Sequence, residues 1–156
     1  MARYDVVDEG IIDADLSTVS IKAYMDEFTG KTHWWMPLWE SKPRGHKRIV
    51  QKGEVADIIV NRRGKSKFAA RVTDFVENRL VYVEFFEGDF IGTGEWTFEP
   101  SDGKTKVRFR WKVKTNKLSL MLVALFVNIG KIHSEVIQGG FKALNRYLSQ
   151  RKNSRL

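Results

Sequence analysis

The sequence predicts an α+β fold: a curved antiparallel sheet of six or seven strands wrapped around a long C-terminal helix, with two short helices after strand 1. Three observations carry this expectation. The first is the stretch GDFIGTGEWTFEPSDGKTKVRFRWKV, where Gly92, Gly94, Trp96 and Phe98 alternate with Thr93, Glu95, Thr97 and Glu99. Its second half repeats the pattern, with Val107, Phe109, Trp111 and Val113 against Lys106, Arg108, Arg110, Lys112 and Lys114. A period of two with one apolar face marks an antiparallel sheet covered on one side and wet on the other. The second observation is a series of such segments separated by short turns, and the third is a long amphipathic segment after Asn116.

The elements follow in order. Arg3 to Ala14 reads as a first strand, and Asp15 can cap a helix whose short apolar side is Val19, Tyr24, Met25 and Phe28, closed by Gly30. KTHWWMPLWESKPRGHK is aromatic and turn-rich and reads as a short helix or irregular lid. Strands are expected at Arg48–Asn61, Ser66–Phe75, Arg79–Phe86, Phe90–Glu99 and Lys104–Lys114. Gly53 breaks the first of these by a bulge or turn. Pairing Glu99 with Lys104 across Pro100–Gly103 places Glu95 opposite Arg108, and Gly94 and Gly92 opposite Phe109 and Trp111. Glycine opposite a large ring suits a sheet that bends.

From Asn116 to about Gln150 a helix of about 50 Å is expected at 1.5 Å per residue. Leu122, Phe126, Ile129, Val136, Ile137, Gly140, Leu144, Tyr147 and Leu148 form one stripe centred on His133. Gly139-Gly140 interrupts it at a propensity cost, either for close packing on the sheet or for a kink that widens a cavity.

Composition narrows the function. At 156 residues, with 42% apolar and 12% aromatic content, a single folded domain over residues 1–156 is expected. Without cysteine, thiolate metal and redox chemistry are excluded. No apolar signal region precedes the first strand, and no apolar run is long enough to span a bilayer, so a cytoplasmic location is expected. The net charge of +8 permits anionic partners. The aromatics of the last two strands point away from the cations, which argues against nucleic acid.

The Gly88–Val113 pattern, the terminal GKIHSEVIQGGFKALNRYL, the early DADLSTVSIKAYMD and Trp39 together resemble the START-like, or SRPBCC, superfamily. More narrowly the chain resembles its polyketide cyclase/dehydrase and lipid-transport group, which shares the helix-grip fold with the birch-pollen allergen family. The resemblance covers nearly the whole chain and implies a central cavity for a hydrophobic small molecule such as a lipid, sterol or polyketide. Only some members are enzymes, so it implies a ligand class and no reaction, and no cofactor is expected.

Trp35, Trp39, Tyr82, Trp96, Phe98, Phe109, Trp111, Phe126, Ile129, His133 and Ile137 are the candidate cavity residues, with Trp34 and Phe141 beside them. Each is equally at home in an ordinary core. Tyr82, Glu84 and Asp57 supply polar groups if they face inward. His133 either orients a ligand or moves protons in a cyclase or dehydratase; the plainer alternative is a core histidine satisfied by a backbone carbonyl or water. His33 and His46 lie in loop-like sequence, and no ligand spacing suggests a metal. Leu118–Val127 either docks transiently on an anionic membrane or is a buried helix.

Overall fold

Strand alternation resolves into one sheet that bends around the terminal helix. The computed structural model describes residues 3–20, 34–45 and 50–155. The chain runs β1 (Arg3–Ile12), α1 (Leu16–Ser20), β2 (Trp39–Pro43), β3 (Val55–Asn61), β4 (Lys65–Val76), β5 (Leu80–Gly88), β6 (Phe90–Ser101), β7 (Lys104–Thr115), α2 (Leu118–Val123) and α3 (Ile129–Asn153). The 7-stranded sheet has the order β1-β7-β6-β5-β4-β3-β2. Every neighbouring pair is antiparallel. The chain therefore meanders from β2 to β7, and β1 closes the far edge.

Curvature has local causes. Register shifts break β4 between Ala69 and Ala70 and between Val72 and Asp74. In β6, Gly92 has a φ of 153°, and its missing side chain lets the strand press against β7.

Several expectations change in detail. Ser101 pairs with Lys104 around a two-residue loop, in which Asp102 and Gly103 have φ of 50° and 76° as a type I′ turn requires. Each expected pair across this hairpin therefore shifts by two residues. Gly94 faces Trp111, Gly92 faces Val113 and Glu95 faces Arg110. An even shift preserves the faces, so the buried rings stay on the concave side.

Trp39–Pro43 is a strand and not part of a helix or lid. It forms the sheet's edge beside β3, where Pro43 is tolerated. The long strand expected from Arg48 starts only at Val55, after a turn in which the Glu54 N–H donates to Gln51. Asp15 caps α1, accepting from the Ser17 hydroxyl (2.5 Å), the Thr18 hydroxyl (2.6 Å) and the Thr18 N–H (3.3 Å). The two hydroxyls hold its carboxyl down at about 2. The remainder of that expected helix falls at 21–33, outside the described residues, as do both ends of the Trp-rich segment read as a short helix or lid.

The terminal helix is two helices. After α2 the Leu125 and Phe126 N–H groups donate three residues back, to Leu122 and Val123, tightening the turn. Asn128 then leaves the helical region, and its side chain accepts from the Lys131 N–H, capping α3. α3 runs unbroken through Gly139-Gly140, and at Gly140 the missing side chain makes room for the Trp35 ring.

α3 also seals the free edge of β1. Gln138 donates to the Glu9 carbonyl (3.1 Å), Asn145 to Ile11 (2.9 Å) and Lys152 to Asp13 (3.0 Å). Asn145 in turn accepts from the Asp13 N–H at 2.8 Å. Residues seven apart share one helix face, so a single row of polar side chains satisfies a strand edge that would otherwise pair with another chain. Buried Asp8 adds a further tie, accepting from Ser134 (3.0 Å) and Gln138 (3.3 Å).

Candidate functional site: the aromatic interior beneath α3

Alternation on β6 and β7 delivers Trp96, Phe98, Phe109 and Trp111 to the concave face, where all are buried. β2 adds Trp39, and β4, β5 and the start of β6 add Phe68, Phe85 and Phe90. α3 closes over them with Ile129, His133, Ile137 and Phe141. The rings fill much of the space that a hollow would occupy. Trp35 stacks on Trp34 at 5.4 Å and on Trp39 at 4.6 Å, and meets Trp96 edge-on at 6.3 Å. Trp96 stacks on Phe109 at 4.2 Å. Such contacts contribute about 0.5–1.5 kcal/mol each beyond area burial.

Trp35 is placed by α3 itself. Its indole N–H donates to the Val136 carbonyl at 3.2 Å, and its ring lies where a side chain at residue 140 would project.

Among the described residues a cleft of about 60 Å³ opens under the first turns of α3, walled by Val60, Phe68, Phe90, Trp111, Ile132 and His133. That is room for about two waters, far below the ~300 Å³ of a typical small-molecule pocket. Arg62 and Ser66 stand at its margin, and Arg62 is held by Glu135 at 2.9 Å.

His133 is the polar member of this wall. It lies face to face with Trp111, the centroids 3.9 Å apart and the planes within 11°. Part of the residue reaches the surface, but its Nε2 is shut off from solvent and has no hydrogen-bond partner among the described residues. The indole nitrogens of Trp39 and Trp96 are likewise buried without a partner among the described residues. Burial lowers the His133 pKa from 6.5 to about 3, so the ring is neutral at physiological pH. A neutral imidazole there offers one hydrogen bond to a neutral hydroxyl or carbonyl.

This shift has a measurable sign. Between pH 6.5 and 3 the unfolded chain binds a proton that the folded chain refuses, so stability falls as pH drops. Going from about pH 6.5 to about pH 5, His133 is expected to remove about 2 kcal/mol of stability, and His133→Leu to abolish that loss. Urea unfolding of both proteins at the two pH values checks this. Parallel losses in the two would show that His133 is not sealed.

Two candidate cavity residues lie elsewhere. Tyr82 alternates with buried Val81 and Val83 and so faces outward, beside Glu95 in the ladder. Phe126 is 88% exposed, because the break before α3 takes it out of the helical stripe. Glu84 and Asp57 are also outward, paired with Arg71 (3.7 Å) and Arg44 (2.7 Å). His33 and His46 are outside the described residues. Phe68, Phe90 and Val136 line the cleft although none is among the cavity residues expected from sequence. The signal for Phe90 was its parity with Gly92, Gly94, Trp96 and Phe98. Among the described residues no His, Asp or Glu cluster could hold a metal ion, and no helix is long and apolar enough to cross a membrane.

No protein-family model and no curated protein matches the chain. Solved structures do. TTHA0849 from Thermus thermophilus superposes with a TM-score of 0.71 at 16% identity, covering 92% of this chain and 95% of that one. Ara h 8.0201 matches with a TM-score of 0.65 at 14% identity, over 96% of this chain and 99% of its own. Ms6760 from Mycobacterium smegmatis matches with a TM-score of 0.65 at 15% identity, over 94% and 92%. With the sheet order and the long terminal helix already in place, these near full-length superpositions show that the chain has the helix-grip fold.

Proposed function

We propose that the protein binds a hydrophobic small molecule, of lipid, sterol or polyketide type, bearing one neutral hydrogen-bonding group. The observation that carries this reading is the buried, unpartnered Nε2 of His133 in the wall of an aromatic cleft. A buried polar atom without a partner costs about 1–3 kcal/mol, and a ligand hydroxyl or carbonyl would recover part of that. Affinity would come mainly from apolar burial, about 25 cal/mol per Å² before ordering costs.

Because the cleft is small, binding requires the Trp34–Trp35–Trp39 stack or the start of α3 to move. A cyclase or dehydratase reading needs a second polar group converging on His133, and a group held neutral down to about pH 3 is a weak base. Carriage is therefore favoured over catalysis.

Native mass spectrometry and solvent extraction of the purified protein are expected to reveal or load an apolar ligand. In a titration followed by tryptophan fluorescence, dodecanol is expected to bind about 5- to 10-fold more weakly to His133→Leu than to the parent protein, the loss of about one hydrogen bond. Failure of every apolar probe to load, with nothing extracted, would sink the proposal.

A further inference from the structure

α2 and the turn after it carry an apolar surface that the fold leaves uncovered. Phe126 is 88% exposed, Leu125 74%, Leu118 70%, Leu122 56% and Val123 45%. α2 buries none of its residues. Single exposed apolar side chains are ordinary, but five large ones within nine consecutive positions form a patch of the kind that marks an interaction surface. The segment is nonetheless fixed in place. Leu120 and Ala124 pack against the core, and Lys117, at its start, holds the Asp89 carboxylate at 2.5 Å.

The surroundings of the patch are basic. Lys114 lies next to last in β7 and pairs in the ladder with Arg3, and Lys131 lies in the first turn of α3. These groups share one end of the molecule, since residue 130 lies against Tyr4 and Val6 beside Arg3. No Asp or Glu occurs between Lys104 and Ser134. Of the acidic groups at this end, Asp89 is occupied by Lys117 and by the Lys67 N–H, Asp5 is held by Arg110 at 2.7 Å, and Glu135, one turn after Lys131, is held by Arg62 at 2.9 Å.

From this juxtaposition we infer that Leu118–Phe126 docks on an anionic lipid bilayer, its leucines and Phe126 entering the headgroup boundary while Arg3, Lys114 and Lys131 meet lipid phosphates and carboxylates. The same cationic collar would repel a second copy presenting the same face. Ile129 and Ile132, just beyond the patch, line the His133 cleft, so the docked face adjoins the proposed ligand site. The inference does not rest on that reading, because the patch and its charge stand whether or not the cleft is ever filled.

The test is co-sedimentation with sucrose-loaded vesicles of phosphatidylcholine alone or with about 30 mol% phosphatidylserine. The protein is expected to bind the anionic vesicles at least about tenfold more tightly than the neutral ones, and less at high salt. Leu125→Ser/Phe126→Ser is expected to lose about tenfold in binding with an unchanged melting temperature, and Lys114→Gln/Lys131→Gln to lose the preference for phosphatidylserine. No preference for anionic vesicles, or equal binding by Leu125→Ser/Phe126→Ser, would overturn the inference. A concentration-dependent dimer in light scattering that the same double variant abolishes would assign the face to a second copy and overturn it too. The dodecanol titration is read without vesicles, so each proposal can fail alone.

Discussion

Gly92→Ala is expected to destabilise the protein by more than about 4 kcal/mol, or to prevent folding, the range reached when strain and a backbone clash combine. At a φ of 153° a side chain is strained whatever its surroundings. Here the added carbon would also strike the Lys112 carbonyl oxygen and stand 2.7 Å from the Val113 Cα. Both are backbone atoms held in the ladder of β7, which cannot step aside without breaking the sheet. Gly94→Ala is the informative companion. Its added carbon meets only side-chain atoms, of Val83 at 2.9 Å and of Phe109 and Phe85 at 3.0 Å, so an overpacking cost of about 1–3 kcal/mol is expected. Urea midpoints of the two variants give the comparison. A Gly92→Ala protein within about 1 kcal/mol of the parent would mean that β6 does not press on β7 as described.

Gly140→Ala should run against its own propensity. In an exposed helix the change is worth about 1 kcal/mol in favour of alanine. At this position the new carbon would lie 2.6 Å from Cζ2 and 2.7 Å from Nε1 of Trp35. Trp35 is buried, stacked on two tryptophans and bonded to Val136, so its ring has little room to retreat. A net loss of about 1–3 kcal/mol is expected, with a change in tryptophan emission as the stack shifts. Gly139→Ala meets only the flexible end of Leu38 at 3.2 Å and is expected to be neutral or stabilising. In thermal melts Gly140→Ala should fall below the parent and Gly139→Ala should not. A stabilised Gly140→Ala would detach Trp35 from its assigned place on α3.

These glycines show how far the sequence could be read. Alternation on β6 and β7 was legible because polar and apolar residues keep strict parity there, and parity survives a register error of two. The register itself depended on which residues of Pro100–Gly103 formed the loop, and only the φ angles of Asp102 and Gly103 decide that. Trp39–Pro43 was hidden because a five-residue edge strand with a lysine and a proline owes its extension to β3, not to its own pattern. β5 reads VYVEFF, apolar at both parities in places, so Tyr82 could be turned either way until its neighbours in β4 and β6 were known. The break at Ala124–Asn128 left the apolar period of the terminal segment uninterrupted. Its one visible sign was Asn128, a capping residue among leucines and valines. The missing partner of His133 was beyond reach, since an absent hydrogen bond has no sequence pattern.

The polar row that α3 presents to β1 has a mechanical consequence. Ser134, Gln138, Asn145 and Lys152 tie the helix to β1 from its second turn to its end, whereas the turn before Ser134 has apolar contacts and its Asn128 cap. α3 is thus a beam clamped along most of its length with one short free end. Lifting the clamped part would uncover the edge of β1 and invite other chains to pair with it. Lifting the free end parts apolar contacts of Ile129 and the His133–Trp111 stack but leaves the polar row in place, and that end lies over the cleft at His133. The seal on the sheet therefore also decides where the molecule can open: beside α2, and nowhere else along the helix without loss of the edge.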